Sequence, residues 1–220
     1  MFDRCTINAD YCIIEASCWF RKIRSIDKGI LFRYTFFRKQ VFDLKKKLFS
    51  EIPYLEKDGM VLRRITQNDA EGLERLRNDS RVYQYLPTFL FEKKYEDVSY
   101  VIEQLYEECF RDSIILGVFE DGEFCGLVEM YGYREELHKI SVGGRFCSEC
   151  WGRNLASRAL QLMIKYLYEE TDIEIITASS MLENRGSARV LEKSGFSLVV
   201  HAAEEDWGYD TPTLADKWIR

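Results

Sequence analysis

The sequence predicts an α/β domain built on a mixed β-sheet that is at least partly parallel, and three stretches predict it. Over residues 151–196 a tight turn, an amphipathic helix, a β-branched strand and a second helix follow one another without a break, which is the order of a crossover connection. Over residues 114–131 two apolar runs flank Asp121-Gly122, the mark of an antiparallel hairpin. Residues 60–65, Met-Val-Leu-Arg-Arg-Ile, read as a strand, and the Thr66–Asp69 spacing that follows has the form of a capping box opening a helix.

Taken in order, the chain begins with an extension. Ile23, Ile26, Ile30, Tyr34, Phe37, Val41, Leu44 and Leu48 recur by threes and fours, the spacing of a helix seam, with most of the Lys and Arg residues off that seam. Such a basic amphipathic helix can rest on its own acidic domain, on a second subunit in a homodimer, or on an acidic partner, an anionic membrane surface or RNA. Pro53, Asp58 and Gly59 interrupt the pattern and divide the chain into an N-terminal helical extension, residues 1–59, and a main domain, residues 60–220. After the first strand, Leu73 and Leu76 mark a helix, and Val98, Val101, Ile102 and Leu105 mark another over about 95–110. Following the hairpin, residues 140–146 form the strand that delivers the chain to the Trp151 turn. Leu155, Ala159, Leu162, Met163, Tyr166 and Leu167 then give a helix its apolar stripe. Ile173, Ile175, Ile176 and Thr177 make a buried strand, and Asn184 caps a helix that Gly195 ends. Residues 213–219 supply a last antiparallel strand.

Composition excludes several classes. A chain of 220 residues, 46% hydrophobic and 31% charged, has the make-up of a globular protein. No apolar run approaches the ~18 residues of a membrane span, and no secretory leader is expected, so the cytoplasm is the default compartment. The seven cysteines are then read as reduced thiols, and Cys147-x-x-Cys150 as a structural pair, since zinc would need a second pair or nearby histidines. No metal is expected. Residues 1–50 hold 11 Lys and Arg against 5 Asp and Glu, a net +6, which leaves −12 for the remainder. That acidic balance suits a cationic partner such as an amine or a basic peptide and argues against nucleic acid as the main partner of residues 60–220.

The turn ahead of the long helix carries the chemistry. Gly152 and Asn154 tolerate left-handed backbone angles, so successive N–H groups can point outward together, and the helix N-terminus behind them adds partial positive charge. That is a phosphate cradle. Trp151-Gly-Arg-Asn-Leu-Ala-Ser157, followed by Asn184-Arg-Gly-Ser187 and Glu192-Lys-Ser-Gly-Phe196, resembles the acetyl-CoA site of the GNAT-superfamily N-acetyltransferases. The likeness is to the branch of RimJ and RimL type, which acetylates ribosomal-protein N-termini. One departure is Asn154, where the family's second turn glycine stands.

The resemblance implies the acyl-CoA N-acyltransferase fold, a central twisted mixed β-sheet of about six to seven strands flanked by helices. It also implies acetyl-CoA as co-substrate, held by Phe146, Cys147, Trp151, Gly152, Arg153, Asn154, Leu155, Ala156 and Asn184, with pantetheine between two strands that splay apart. Direct attack by a primary amine, on a peptide N-terminus or a small molecule, would follow. Glu129, a carboxylate in the mostly apolar Gly126–Met130 strand, is the candidate base, against the reading of a solvated glutamate. Ser187 is the candidate acid; it can also simply bond its own backbone, leaving the role to water. The family's tyrosine, expected near Leu191 or Glu192, is absent. The polar run 133–136 reads as a solvated turn or, on the acceptor side, as an influence on specificity. The competing reading is a binding module of this fold that holds CoA weakly and acts through its basic N-terminal helix.

Overall fold

A computed structural model describes residues 48–220. The basic seam therefore lies outside the described residues except for its last member, Leu48, which is buried. The described chain builds one eight-stranded sheet in the order β1-β2-β3-β4-β5-β6-β8-β7. Its strands are β1 Leu55–Lys57, β2 Met60–Arg63, β3 Ile114–Glu120, β4 Glu123–Arg134, β5 Lys139–Phe146, β6 Ile175–Met181, β7 Ser197–Glu205 and β8 Thr213–Ile219. All neighbours are antiparallel except β5 and β6, which run parallel, so the sheet is mixed as expected.

Two strands exceed the expected set. The Asp58-Gly59 pair, read from sequence as an interruption, is a hairpin turn with both φ angles positive, and it pairs Leu55–Lys57 with Met60–Arg63. β7 was masked by its irregularity: the register shifts twice against β8, and Ala202 sits at φ +55° in the bulge, so apolar alternation is lost. The Asp121-Gly122 hairpin forms where expected, and the Asp121 amide bonds the Gly59 carbonyl, joining the two turns. Ile173 is buried but precedes its strand, which starts at Ile175 and continues through Met181.

The helices are α1 Ala70–Asn78, α2 Ser80–Tyr83, α3 Phe91–Lys94, α4 over 98–109 with a π turn at Val101–Leu105, α5 Leu155–Glu170 and α6 Arg185–Lys193. The expected second helix starts later than 95 because Asp97 caps it, accepting from the Tyr100 amide. The crossovers β5→β6 and β6→β7 advance in the same direction across the sheet, so right-handedness puts α5 and α6 on one face, where they touch. Leu62, Leu116, Met130, Ile140 and Ile176 make the fully buried core of that face. The opposite face carries Arg63, Phe119, Leu127, Glu129 and Arg145 and receives α1 and α4.

At the head of this second layer the Asp69 carboxylate takes the Thr66 amide and hydroxyl and both terminal nitrogens of Arg63, 2.8–2.9 Å away. Burial opposes the ionised form, but the Arg63 and Thr66 hydrogen bonds outweigh it and hold the Asp69 carboxyl below its ordinary value. A depressed carboxyl stabilises the fold above its unfolded value of 3.8 and loses that contribution as pH falls through the folded value. Asp69→Asn should therefore lower the melting temperature at neutral pH and narrow its gap to the native chain below pH ~3. Gly72 lies 2.7–2.8 Å, at its missing Cβ, from the Phe124 side chain, so Gly72→Ala should cost about 1–3 kcal/mol in denaturant titration.

Candidate functional site

Parallel pairing between β5 and β6 covers only Lys139–Ser141 against Ile175–Thr177, and the strands then separate. On its other side β5 stays bound to β4. The Cys147 amide donates to the Cys125 carbonyl at 2.9 Å, and the bonded pairs of an antiparallel ladder alternate, so Arg145 and Gly143 also bond toward β4. The backbone groups of Val142, Gly144 and Phe146 consequently face the gap that β6 has left. Cys147, whose backbone is expected to contact pantetheine, has its amide committed to the ladder. The Phe146 carbonyl accepts from the Trp151 indole at 2.9 Å, which folds the half-exposed ring back onto the end of β5.

Both crossover helices start at this end of the sheet, since each follows the carboxyl end of a parallel strand. Gly152 at φ +76° and Asn154 at φ +62° make the turn before α5. Nothing lies within 4 Å of where a Gly152 Cβ would stand. Asn154 thus supplies the left-handed residue that glycine would, and its side chain makes no capping bond. The first intrahelical bond of α5 runs from the Arg158 amide to the Asn154 carbonyl, so the Leu155, Ala156 and Ser157 amides have no partner within the helix. The Arg153 guanidinium is drawn aside to Glu120, which also binds Arg158 at 2.5 Å. Arg153 can serve an anion through its amide, with its charge already paired.

Behind the turn, Cys125, Cys147 and Cys150 are buried, and burial pushes the Cys125 and Cys147 thiols up to about 12. That burial disfavours the thiolate on which nucleophilic chemistry would depend. Ser148, in the same segment, donates to Asp79 and accepts from Arg81, and thereby ties the turn to the start of α2. The hydrogen bonds from Arg81 and Ser148 hold Asp79 well below the usual carboxylate range.

At the start of α6 the Asn184 Oδ1 accepts from the Ser187 amide at 3.0 Å, so the cap is real and Nδ2 remains for a ligand. The Ser187 hydroxyl makes no bond to its own backbone. Leu191, where the family's tyrosine falls, is packed into the core. The 133–136 run is placed away from the site: it precedes Lys139, at the closed end of β5, and the Tyr133 hydroxyl bonds Asp172 there. A four-residue hairpin at that end cannot reach the gap at the other end of an eight-residue strand.

Glu129 stands on β4 opposite Gly143, with its carboxylate laid across β5: a Cβ at Gly143 would fall 2.9 Å from Oε1. Its Oε2 accepts from Arg145 Nη1 at 3.2 Å. Sequence reasoning missed what lies behind. Arg145 and Glu92 are 2% and 0% exposed, against 20% for Glu129. Glu92 accepts from the Tyr83 and Tyr106 hydroxyls at 3.0 and 3.1 Å, and Arg145 Nε approaches its Oε1 at 2.5 Å. That last contact is an ion pair and not a hydrogen bond, because the N–H does not point at the carboxylate. Burial first, then Glu92, raises both phenols far above their ordinary value, so they remain donors. Burial opposes the Arg145 charge, and Glu92 and Glu129 override it. The available signal was an arginine in the Val142–Phe146 half of a strand otherwise made of glycine and apolar residues; Glu92 gave none, since Glu-Lys-Lys reads as a solvated helix.

A sequence profile described as the acetyltransferase (GNAT) domain matches residues 60–197. The uncharacterized N-acetyltransferase YoaA of Bacillus subtilis is 25% identical over 148 residues, covering 66% of this chain and 82% of that protein. Among solved structures, RimL, a ribosomal-protein α-N-acetyltransferase in complex with coenzyme A, superposes with a TM-score of 0.67 at 13% identity, over 76% of this chain and 97% of its own. Spermidine N-acetyltransferase from Vibrio cholerae, in complex with CoA and spermine, gives 0.63 at 18%, over 74% and 96%.

The turn conformation sets a direct test. Asn154→Gly should leave the melting temperature unchanged or higher, whereas Asn154→Ala should destabilise by about 1 kcal/mol, because a Cβ without a local hydrogen-bonding group is strained at this φ.

Proposed function

The chain belongs to the GNAT acetyltransferase family, and on that premise we propose that it transfers an acetyl group from acetyl-CoA to a primary amine by direct attack in a ternary complex. One observation carries this reading. The opened edge of β5, the amide-rich turn before α5 and the start of α6 all lie at the same end of the sheet.

The residues present fit the co-substrate. Amides of Gly152, Arg153, Asn154, Leu155 and Ala156 suit a pyrophosphate, since they converge on a helix N-terminus. Backbone groups of Val142, Gly144 and Phe146 suit the pantetheine amides, with Asn184 Nδ2 as a further donor. Trp151 holds the turn against β5. Acetyl-CoA supplies the activated acetyl group as a thioester. The acceptor must arrive as, or become, a neutral amine, and Glu129 is the carboxylate placed to take its proton, directly or through water. A backbone N–H on the opened edge of β5 serves the developing oxyanion. The departing thiolate is protonated from Ser187 or from solvent, so the acetyl group moves with one proton lost from the amine and one gained by sulfur.

The acceptor reaches Glu129 from the face that carries α1 and α4. On this face the loop after α2 is pinned to the β7–β8 loop by Thr88 bonds to Trp207 and Gly208 and by the Tyr209 hydroxyl on the Leu86 carbonyl. The structural neighbours act on ribosomal-protein N-termini and on spermidine, and the acidic balance of this domain favours a cationic acceptor of either kind.

Calorimetry should detect acetyl-CoA binding, and CoA release should be seen with at least one member of a panel of peptides, polyamines and aminoglycosides. No binding at millimolar acetyl-CoA would end the enzyme reading; binding without turnover on any amine would favour a binding module. Glu129→Gln should lower kcat by about 100-fold with acetyl-CoA affinity unchanged, and unchanged turnover would remove Glu129 from the mechanism.

A further inference from the structure

We infer that Arg145 is a positioning residue for the acceptor amine, acting through Glu129, and that Glu92 serves to neutralise it. The inference rests on the acetyl-transfer reading above and concerns which buried groups prepare its base. Tyr83 and Tyr106, Glu92, Arg145 and Glu129 form one chain of contacts running from the helical layer through the sheet to the mouth of the β5–β6 gap. Only its last member is partly exposed.

Three features give this chain a direction. First, charge: Glu92 and Arg145 cancel in a dry environment, so the cluster presents the single negative charge of Glu129. An arginine beside Glu129 without Glu92 would leave the mouth neutral and less attractive to an ammonium group. Second, valence: Arg145 occupies Oε2 of Glu129, while Oε1 accepts no hydrogen bond among the described residues and remains for the amine. Third, space: Gly143 lies directly beneath that oxygen, and any side chain there would displace it. A buried ion triad is costly and is often replaced without loss by apolar residues of similar volume. Stability therefore gives no reason for these residue types, whereas holding one carboxylate in one rotamer does.

A double-substitution cycle tests the inference, read with the amine from the panel that gives fastest turnover. Arg145→Met should lower kcat by about 10- to 100-fold in the native background and by less than about twofold when Glu129 is already Gln, since both then remove the same function. The KM for the amine should rise, while the acetyl-CoA dissociation constant from calorimetry stays within about twofold, an outcome a distorted sheet would not give. Equal, multiplying losses in both backgrounds would overturn it. If Arg145→Met does not fold, Gly143→Ala keeps the whole triad and moves only the Glu129 tip. It should lower kcat, again only where Glu129 is present, at an unchanged melting temperature, and native kcat in Gly143→Ala would overturn the inference. Native protein that releases no CoA with any amine of the panel would end the acetyl-transfer reading and this one with it. Turnover with independent losses would leave acetyl transfer standing and remove Arg145 alone.

Discussion

Beyond Ser141 and Thr177 the two central strands stop exchanging hydrogen bonds, and the rest of the site is arranged around that unmade part of the ladder. Open backbone groups in the middle of a sheet are tolerated only where a ligand or solvent can reach them. Here the separation is held from both sides. β6 is drawn to β8 from Thr177 to Met181, and β5 is bound to β4 through Phe146. The Trp151 indole then fastens the end of β5 to the turn, so the gap opens beside the α5 N-terminus and not elsewhere. Polar donors of the strand edge and of the helix start converge as a consequence of connectivity.

The second layer meets this site through charge. Most of the sheet is held by apolar burial, yet the contact between α3, α4 and the centre of β5 is made by Glu92, Arg145 and two phenols. Every one of these groups would be unfavourable alone in that environment, and each charge is paired with, or each hydroxyl donates to, another of them. Such an arrangement fixes geometry more sharply than oil-like packing, because displacing one member strands the charge of the next. Glu129, at the open end, inherits that rigidity without the burial.

Solved neighbours under 25% identical superpose over about three quarters of this chain and are named for different acceptors, so the fold by itself does not name the acceptor. In this chain the helical layer is tied to the rest of the domain at two points. Ser148 links the turn to Asp79 and Arg81, and Thr88 with Tyr209 links the loop after α2 to the β7–β8 loop. Both ties join segments distant in sequence.

How much was legible in the sequence follows from the range of the interactions. The Asp-Gly hairpin, the Thr66 cap, the stripe of α5, the positive φ of Asn154 and the Asn184 cap are all decided by residues within a turn or two of each other, and the sequence determined them. It also determined the family, because the turn and the Asn184 segment are local patterns in a fixed order. The short β1 and the bulged β7 were hidden, since neither has a periodicity of its own and both exist only through a partner strand. Which backbone groups of β5 face the gap, why Cys147 cannot offer its amide, where the 133–136 run lies and what stands behind Glu129 were decided by tertiary structure alone. Those answers depend on ladder register and on burial, and a charge such as that of Glu92 reads as solvated until the fold places Arg145 against it.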